Sequence, residues 1–138
     1  MELFKGDNRN CRDYMLRVKL GSGDSIMVKV LVVDDSAFMR TVLRTILAEN
    51  DHTVVGESAN GTEALEMFRA LRPDVVTMDI VLGDEDGIEV AKRILEMDPN
   101  ARIVMCSAVG DNDRIQTALQ IGAKDFIIKP FEADKVLK

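Results

Sequence analysis

The sequence is poor in cysteine, lacks any long apolar run and carries fewer basic than acidic side chains. Cys11 and Cys106 are its only cysteines, and because Cys106 sits in the apolar run RIVMC, we expect a buried free thiol there. No apolar run approaches the roughly 18 residues of a membrane span, and MELFKGDNRN has no apolar secretory core. The net charge of -6 argues against nucleic acid or an anionic membrane as main partner. These absences predict a cytoplasmic protein.

From Val28 onward, short β-branched apolar runs alternate with amphipathic segments in a chain long enough, at 138 residues, for one domain. The apolar runs mostly do not alternate with polar residues, as in strands covered on both faces, and predict strands at Val28–Val33, Thr53–Glu57, Asp74–Met78, Arg102–Cys106 and Asp125–Ile128. The segments between them predict helices at Ser36–Glu49, Gly61–Leu71, Gly87–Met97 and Asp113–Ile121. Short connections between strands and helices imply an α/β fold, a doubly wound parallel sheet with helices on both faces.

Two local patterns describe the first two predicted helices more closely. Phe38, Val42, Leu43 and Ile46 recur at helical spacing and predict one apolar face of the first helix. Before the second helix, Asn60-Gly61 predicts a turn with a positive backbone dihedral.

The two ends of the chain fit this alternation less well. Within residues 1–27, YMLRVKL alternates as a strand does, and GSGDS resembles a flexible linker, natural or engineered. After Pro130, the segment FEADKVLK is short for a closing helix. We therefore divide the chain into an N-terminal extension with linker, residues 1–27, and a folded domain, residues 28–138.

Polar side chains follow four of the predicted strands: Asp34 and Asp35 the first, Asp79 the third, Ser107 the fourth and Lys129 the fifth. Each alone is ordinarily a helix cap, a turn residue or a surface charge. Together they are expected at one edge, because the carboxyl ends of parallel strands meet there. A cluster of carboxylates needs a cation, and oxygen ligands without His or Cys favour magnesium or calcium over zinc. Few protein ligands leave room for water, which suits magnesium beside a phosphoryl group.

These residues belong to a set of short motifs whose order and spacing are specific. The motifs are VLVVDDS, PDVVTMDI, Asp86-Gly87, Ser107-Ala108 and GAKDFIIKPF. Through them, residues 28–138 resemble the receiver domains of two-component signalling, most of all the single-domain chemotaxis regulators of the CheY type. VVGESANG and PDVVTMDI are also similar to the receivers of chemotaxis methylesterases. The resemblance implies a five-stranded, flavodoxin-like sheet with strand order 2-1-3-4-5.

The resemblance also implies a phosphorylation site that depends on magnesium. Asp79 is the implied phosphoacceptor, which receives a phosphoryl group from a phosphohistidine of a histidine kinase. Asp35 and Asp79 are implied to bind magnesium directly, together with the backbone carbonyl of Val81, while Asp34 acts more through water. Such a protein is a signalling module and no enzyme for a separate substrate, since it promotes only its own phosphorylation and dephosphorylation.

A switch in the partner-binding face is implied in the same way. Ser107 is implied to hydrogen-bond the acyl phosphate, Lys129 to pair with its oxygens, and Phe126 to change rotamer with Ser107. The face with Asp111–Ile121 and Phe126 is the implied partner surface. The expected partners are a histidine kinase, the flagellar motor switch or another chemotaxis protein, and a phosphatase.

The sequence departs from the receiver pattern in the loop after Asp79. Gly83 stands where receivers usually carry a proline, and Asp84, Glu85 and Asp86 follow it. We therefore expect a more mobile and more acidic loop.

Three other functions compete with a chemotaxis regulator. A phosphatase of the haloacid dehalogenase type also uses an aspartyl phosphate, but its DxD motif at the first strand differs from adjacent Asp34-Asp35. A flavodoxin-type module needs a phosphate-binding loop rich in Ser, Thr and Gly at that point, where carboxylates would repel phosphate. The third alternative is a receiver domain cut from a larger methylesterase or DNA-binding response regulator.

Overall fold

Every strand and helix predicted between Val28 and Ile128 is present in the structure, a computed structural model that describes residues 28–108 and 111–128; the strand-like YMLRVKL and the short closing segment FEADKVLK lie outside these residues. The strands are β1 (Lys29–Val33), β2 (Thr53–Ser58), β3 (Val75–Asp79), β4 (Val81–Leu82), β5 (Glu85–Asp86), β6 (Ile103–Ser107) and β7 (Asp125–Ile128). The helices are α1 (Ala37–Glu49), α2 (Gly61–Leu71), α3 (Gly87–Met97) and α4 (Asn112–Ile121). No predicted end differs from the observed one by more than one residue. The predicted extension, residues 1–27, lies outside the described residues, so the division of the chain stays a prediction.

The sheet has the predicted topology. Five strands pair in the order β2-β1-β3-β6-β7, and every neighbouring pair is parallel. The short strands β4 and β5 were not predicted and form a separate antiparallel hairpin. When only the five parallel strands are numbered along the chain, their order across the sheet is 2-1-3-4-5. The prediction of a doubly wound α/β fold is therefore confirmed.

Two apolar clusters cover the two faces of the sheet. Successive strand residues point to opposite faces, so Leu31 and Val33 pack with α2, α3 and α4, whereas Val30 and Val32 pack against α1. Both faces are thus buried, which explains why the strands read as nearly continuous apolar runs. Among the described helices, none has both the length and the apolar character that crossing a membrane would require.

Helix α1 confirms the predicted apolar face except at Phe38. Leu43 and Ile46 are buried against the sheet, as predicted. Phe38, by contrast, is 66% exposed. At 3.6 residues per turn, Phe38 lies about 140° around the helix from Leu43, whereas its neighbour Met39 in the same turn packs against the buried cluster. Phe38 therefore points away from the sheet, and the predicted apolar face is wrong at this residue.

The expected positive dihedral at Asn60-Gly61 is wrong. Asn60 has φ −150° and ψ 169°, and its side chain caps α2 by accepting the Glu63 N–H at 2.9 Å. An N-cap residue requires such an extended backbone, and Gly61 has no positive φ either. Glycine is needed at position 61 for space, since a Cβ atom there would lie 2.7 Å from Cγ2 of Val90.

Candidate functional site

The acidic residues that follow β1 and β3 meet at the carboxyl edge of the sheet. The two strands are neighbours, with Val33 paired to Met78, so the chain leaves the sheet at adjacent points. Asp34, Asp35 and Asp79 each place a carboxylate oxygen within 4.8 Å of the others. Asp34 and Asp79 are buried, whereas Asp35 is exposed. The structure thus brings together the three carboxylates that the strand ends predicted.

Backbone donors orient the two buried carboxylates. Oδ1 of Asp34 accepts the N–H of Ser36 at 2.9 Å, and Oδ1 of Asp79 accepts the N–H of Val81 at 3.3 Å. Arg40 also donates from Nη1 to the backbone carbonyl of Asp34 at 2.5 Å. These contacts determine where the chain turns after each strand and thereby the direction in which each carboxylate points.

The three carboxylates of the cluster carry negative charge that a bound ligand must offset. Arg40 and Arg44, in the helix that follows Asp35, both pair with Glu57, with 3.3 Å between Arg40 Nε and Glu57 Oε1. Three carboxylates within 4.8 Å repel one another unless a cation lies between them or one is protonated. All the donors are oxygen atoms, which is the ligand set of magnesium and calcium. The residues present therefore fit a magnesium ion.

Ser107 adds a buried hydroxyl at the same edge. It ends β6 and is 1% exposed, and its Oγ has no hydrogen-bond partner within the part of the chain that the structure describes. Strand β6 pairs with β3, Asp79 opposite Cys106, so Ser107 lies one residue beyond the register of Asp79. Buried hydroxyls nearly always form a hydrogen bond, because an unpaired one costs free energy. The site therefore fits a ligand that accepts this bond, such as a phosphoryl oxygen.

Three further residues were predicted to belong to the site, namely Phe126, Val81 and Lys129. Phe126 is half-buried in β7, where it pairs with Met105 and packs on the α2–α3–α4 side. Ser107 lies two residues beyond Met105 in β6 and therefore faces the same side of the sheet as Phe126. Val81 begins β4 directly after the acidic cluster. Lys129 lies outside the described residues.

Sequence reasoning missed the hairpin structure of the loop after Asp79, which we call the acceptor loop (residues 80–86). It contains the β4–β5 hairpin, whose turn holds Gly83 with φ 62°. At its base, Gly87 donates its N–H to the carbonyl of Ile80 at 2.7 Å. A Cβ atom at Gly87 would lie 1.8 Å from the carbonyl oxygen of Asp79, so only glycine fits. The loop is a paired hairpin folded back on the backbone of Asp79, and its greater mobility stays a prediction.

Comparisons with known proteins agree with this geometry. The family model of the response regulator receiver domain matches residues 30–138, most of the chain. The chain belongs to the response regulator receiver family. Chemotaxis protein CheY of Bacillus subtilis is 49% identical to this receiver over 110 residues, which are 80% of this chain and 92% of that protein.

Two solved structures extend the comparison. A chain of the CheX-CheY-BeF3-Mg+2 complex from Borrelia burgdorferi has a TM-score of 0.74 and 37% identity to this receiver, covering 82% of this chain and 86% of that one. The response regulator domain of Thermotoga maritima CheB has a TM-score of 0.68 and 45% identity to this receiver. The match covers 76% of this chain and 80% of that one. The predicted CheY-like receiver is confirmed at the level of family and fold. Membership in this family also separates the chain from the phosphatase and flavodoxin alternatives.

Proposed function

We propose that this receiver accepts a phosphoryl group on Asp79 from a phosphohistidine of a histidine kinase and that phosphorylation switches its partner-binding face. The observation that carries the proposal is the convergence at one sheet edge of buried Asp79, two further carboxylates and the unpaired Ser107 hydroxyl. A nucleophile, a set of cation ligands and a hydrogen-bond donor are the parts that aspartyl phosphorylation requires.

The transfer step needs little covalent chemistry from the protein. An oxygen of the Asp79 carboxylate attacks phosphorus, the bond from phosphorus to the donor nitrogen breaks, and the imidazole leaves with the electron pair and takes up a proton. The Val81 N–H contact holds the Asp79 carboxylate in a fixed direction for this in-line attack. Hydrolysis of the acyl phosphate by water later regenerates the carboxylate, so the protein promotes its own phosphorylation and dephosphorylation.

A magnesium ion is the proposed cofactor. Asp35, Asp79 and the backbone carbonyl of Val81 would hold it, and Asp34 would act more through water. When bound, magnesium supplies positive charge that offsets the repulsion among the carboxylates and stabilises the phosphoryl oxygens in the transition state.

The proposed switch couples the phosphoryl group to the far side of the sheet. Ser107 donates its unpaired hydroxyl to a phosphoryl oxygen, and Lys129 pairs with another. Movement of Ser107 opens or closes space on the face where Phe126 packs, so the ring changes rotamer. The surface formed by α4 and β7 then differs between the two states, which is how a local charge change becomes a signal.

The proposed partners follow from the chemotaxis relatives. A histidine kinase supplies the phosphoryl group, and the flagellar motor switch or another chemotaxis protein binds the phosphorylated form in the cytoplasm. A phosphatase is a third proposed partner. The CheB receiver favours the second candidate function, in which the same site regulates a larger methylesterase.

The test is to treat the full chain with a small phosphodonor, with and without magnesium, and to locate the modified residue by peptide mass analysis. We expect one phosphoryl group on Asp79, formed only with magnesium. Modification elsewhere, or uptake that does not require magnesium, would contradict the proposal.

The exposed ring of Phe38 provides a test of how the kinase approaches the site. Phe38 lies in the first turn of α1, three residues after Asp35, and we expect a protein donor that reaches Asp79 to contact its ring. Phe38→Ala should therefore slow phosphotransfer from the phosphorylated kinase by about tenfold, since a large exposed aromatic ring often contributes 1–2 kcal/mol to an interface. Phosphorylation by a small donor should be unchanged, because that donor needs no protein contact.

Leu71, which is exposed at the opposite edge of the sheet, offers a matched control. Leu71→Ala removes a similar apolar side chain and should leave both rates at the parent values. Equal slowing with the small donor and the kinase would show that Phe38→Ala damages the site itself.

A further inference from the structure

Glu85 makes a contact that none of the site residues explains. It lies in β5 and its side chain is exposed, yet Oε1 accepts the N–H of Gly61 at 2.8 Å. Gly61 is the first residue of α2, so the carboxylate also sits at the positive end of the helix dipole. The Glu85 carboxylate packs closely on Gly61, since a Cβ atom there would lie 3.3 and 3.4 Å from its two oxygens.

This hydrogen bond connects the acceptor loop to a helix outside the site. Glu85 pairs with Leu82, and its neighbour Asp86 pairs with Val81, so one strand of the hairpin carries Glu85 and the other carries the carbonyl of Val81. The base of the hairpin is already closed by the bond from Gly87 to Ile80. The contact to α2 adds a second support on the opposite side, near the free end of the hairpin.

The turn of the hairpin lies directly against the acidic cluster. A Cβ atom built on Gly83 would be 3.7 Å from Oδ2 of Asp35, so the hairpin backbone and the Asp35 carboxylate are neighbours. A displacement of the hairpin would therefore change both the position of the Val81 carbonyl and the surroundings of Asp35. A proline at position 83 would restrict this turn, but here it contains a glycine with positive φ.

We propose that Glu85 is a positioning residue of the magnesium site: by binding the N-terminus of α2 it holds the β4–β5 hairpin, and with it the Val81 carbonyl, against the acidic cluster. The inference rests on the proposed function, because it assigns Glu85 a role in the same metal site. Residues that orient metal ligands from outside typically change metal affinity by about ten- to a hundredfold when they are replaced.

Two substitutions separate the reach of the side chain from its charge. Glu85→Asp keeps the charge but shortens the side chain by one methylene, so the carboxylate no longer spans to Gly61. Glu85→Gln removes the charge but keeps an oxygen that can accept the same N–H. Asp84→Asn is the matched control, since it removes a neighbouring charge from the same turn and leaves the contact to α2 in place.

Magnesium affinity of the full chain, measured by titration calorimetry at physiological salt, is the first readout. We expect Glu85→Asp to raise the Kd about tenfold, whereas Glu85→Gln and Asp84→Asn should change it by less than about threefold. Thermal melting without magnesium checks that each variant is folded. The second readout needs no metal: the Gly61 amide should exchange its hydrogen faster in Glu85→Asp than in the parent and in Asp84→Asn.

The outcomes distinguish this inference from the proposed function. If the parent binds magnesium and Glu85→Asp binds it equally well, Glu85 has no positioning role and the phosphorylation site stands. If Glu85→Gln and Asp84→Asn weaken binding as much as Glu85→Asp, charge and not the contact matters, and the inference is again wrong. A parent protein that binds no magnesium would overturn the metal site and this inference together.

Discussion

Asp79→Asn should abolish phosphorylation by a small donor and by a kinase, with a loss of about a thousandfold or more in rate, because the substitution removes the nucleophile. Asparagine has almost the same shape, and its amide oxygen can still accept the N–H of Val81 that Asp79 accepts at 3.3 Å. The fold should therefore remain intact. Removal of one of the three clustered charges should raise the melting temperature in the absence of magnesium, since it relieves repulsion.

Intact-mass analysis after donor treatment, followed over time, measures the effect directly. Asp84→Asn serves as the control, since Asp84 is an exposed acid in the acceptor loop and lies outside the carboxylate cluster. That variant should be phosphorylated like the parent. Full phosphate uptake by Asp79→Asn would show that the acceptor is another residue.

Magnesium should raise the melting temperature of the parent protein, and Asp35→Asn should lose most of that gain. At a magnesium concentration about ten times the Kd, one-site binding to the folded state contributes about 1.4 kcal/mol to the free energy of unfolding. For a domain of this size, that corresponds to roughly 5 °C in melting temperature. The gain arises because the ion relieves repulsion among three carboxylates that lie within 4.8 Å of one another.

The melting temperature with magnesium chloride should be compared with sodium chloride at equal ionic strength, so that general screening is subtracted. Glu96→Gln removes a charge of the same sign from the exposed surface of α3, away from the cluster, and should retain the full gain. Equal melting temperatures of the parent in the two salts would count against the metal site, as would an undiminished gain in Asp35→Asn.

Much of the fold was predictable because it follows from one-dimensional patterns. Continuous β-branched runs separated by amphipathic segments allow only a parallel sheet with helices on both faces, and the observed ends agree within one residue. Parallel strands place their carboxyl ends at one edge, so the sequence predicted a shared site for the residues that follow them: Asp34, Asp35, Asp79, Ser107 and Lys129. The strand order came from the resemblance to receivers, since the apolar runs alone do not say which strands are neighbours.

What the sequence by itself determined is therefore the class of fold and the residues at its functional edge. The tertiary structure alone decided which residues of that edge are buried, supported or exposed. Phe38 was assigned to the apolar face of α1, yet it is exposed, while Met39 beside it packs against the core. In the sequence, Glu85 is one of three consecutive acidic residues and nothing distinguishes it. In the structure it accepts a hydrogen bond from Gly61, which is 24 residues away in the chain. Helical and strand periods describe contacts along one element, whereas these features depend on where different elements end and meet in space.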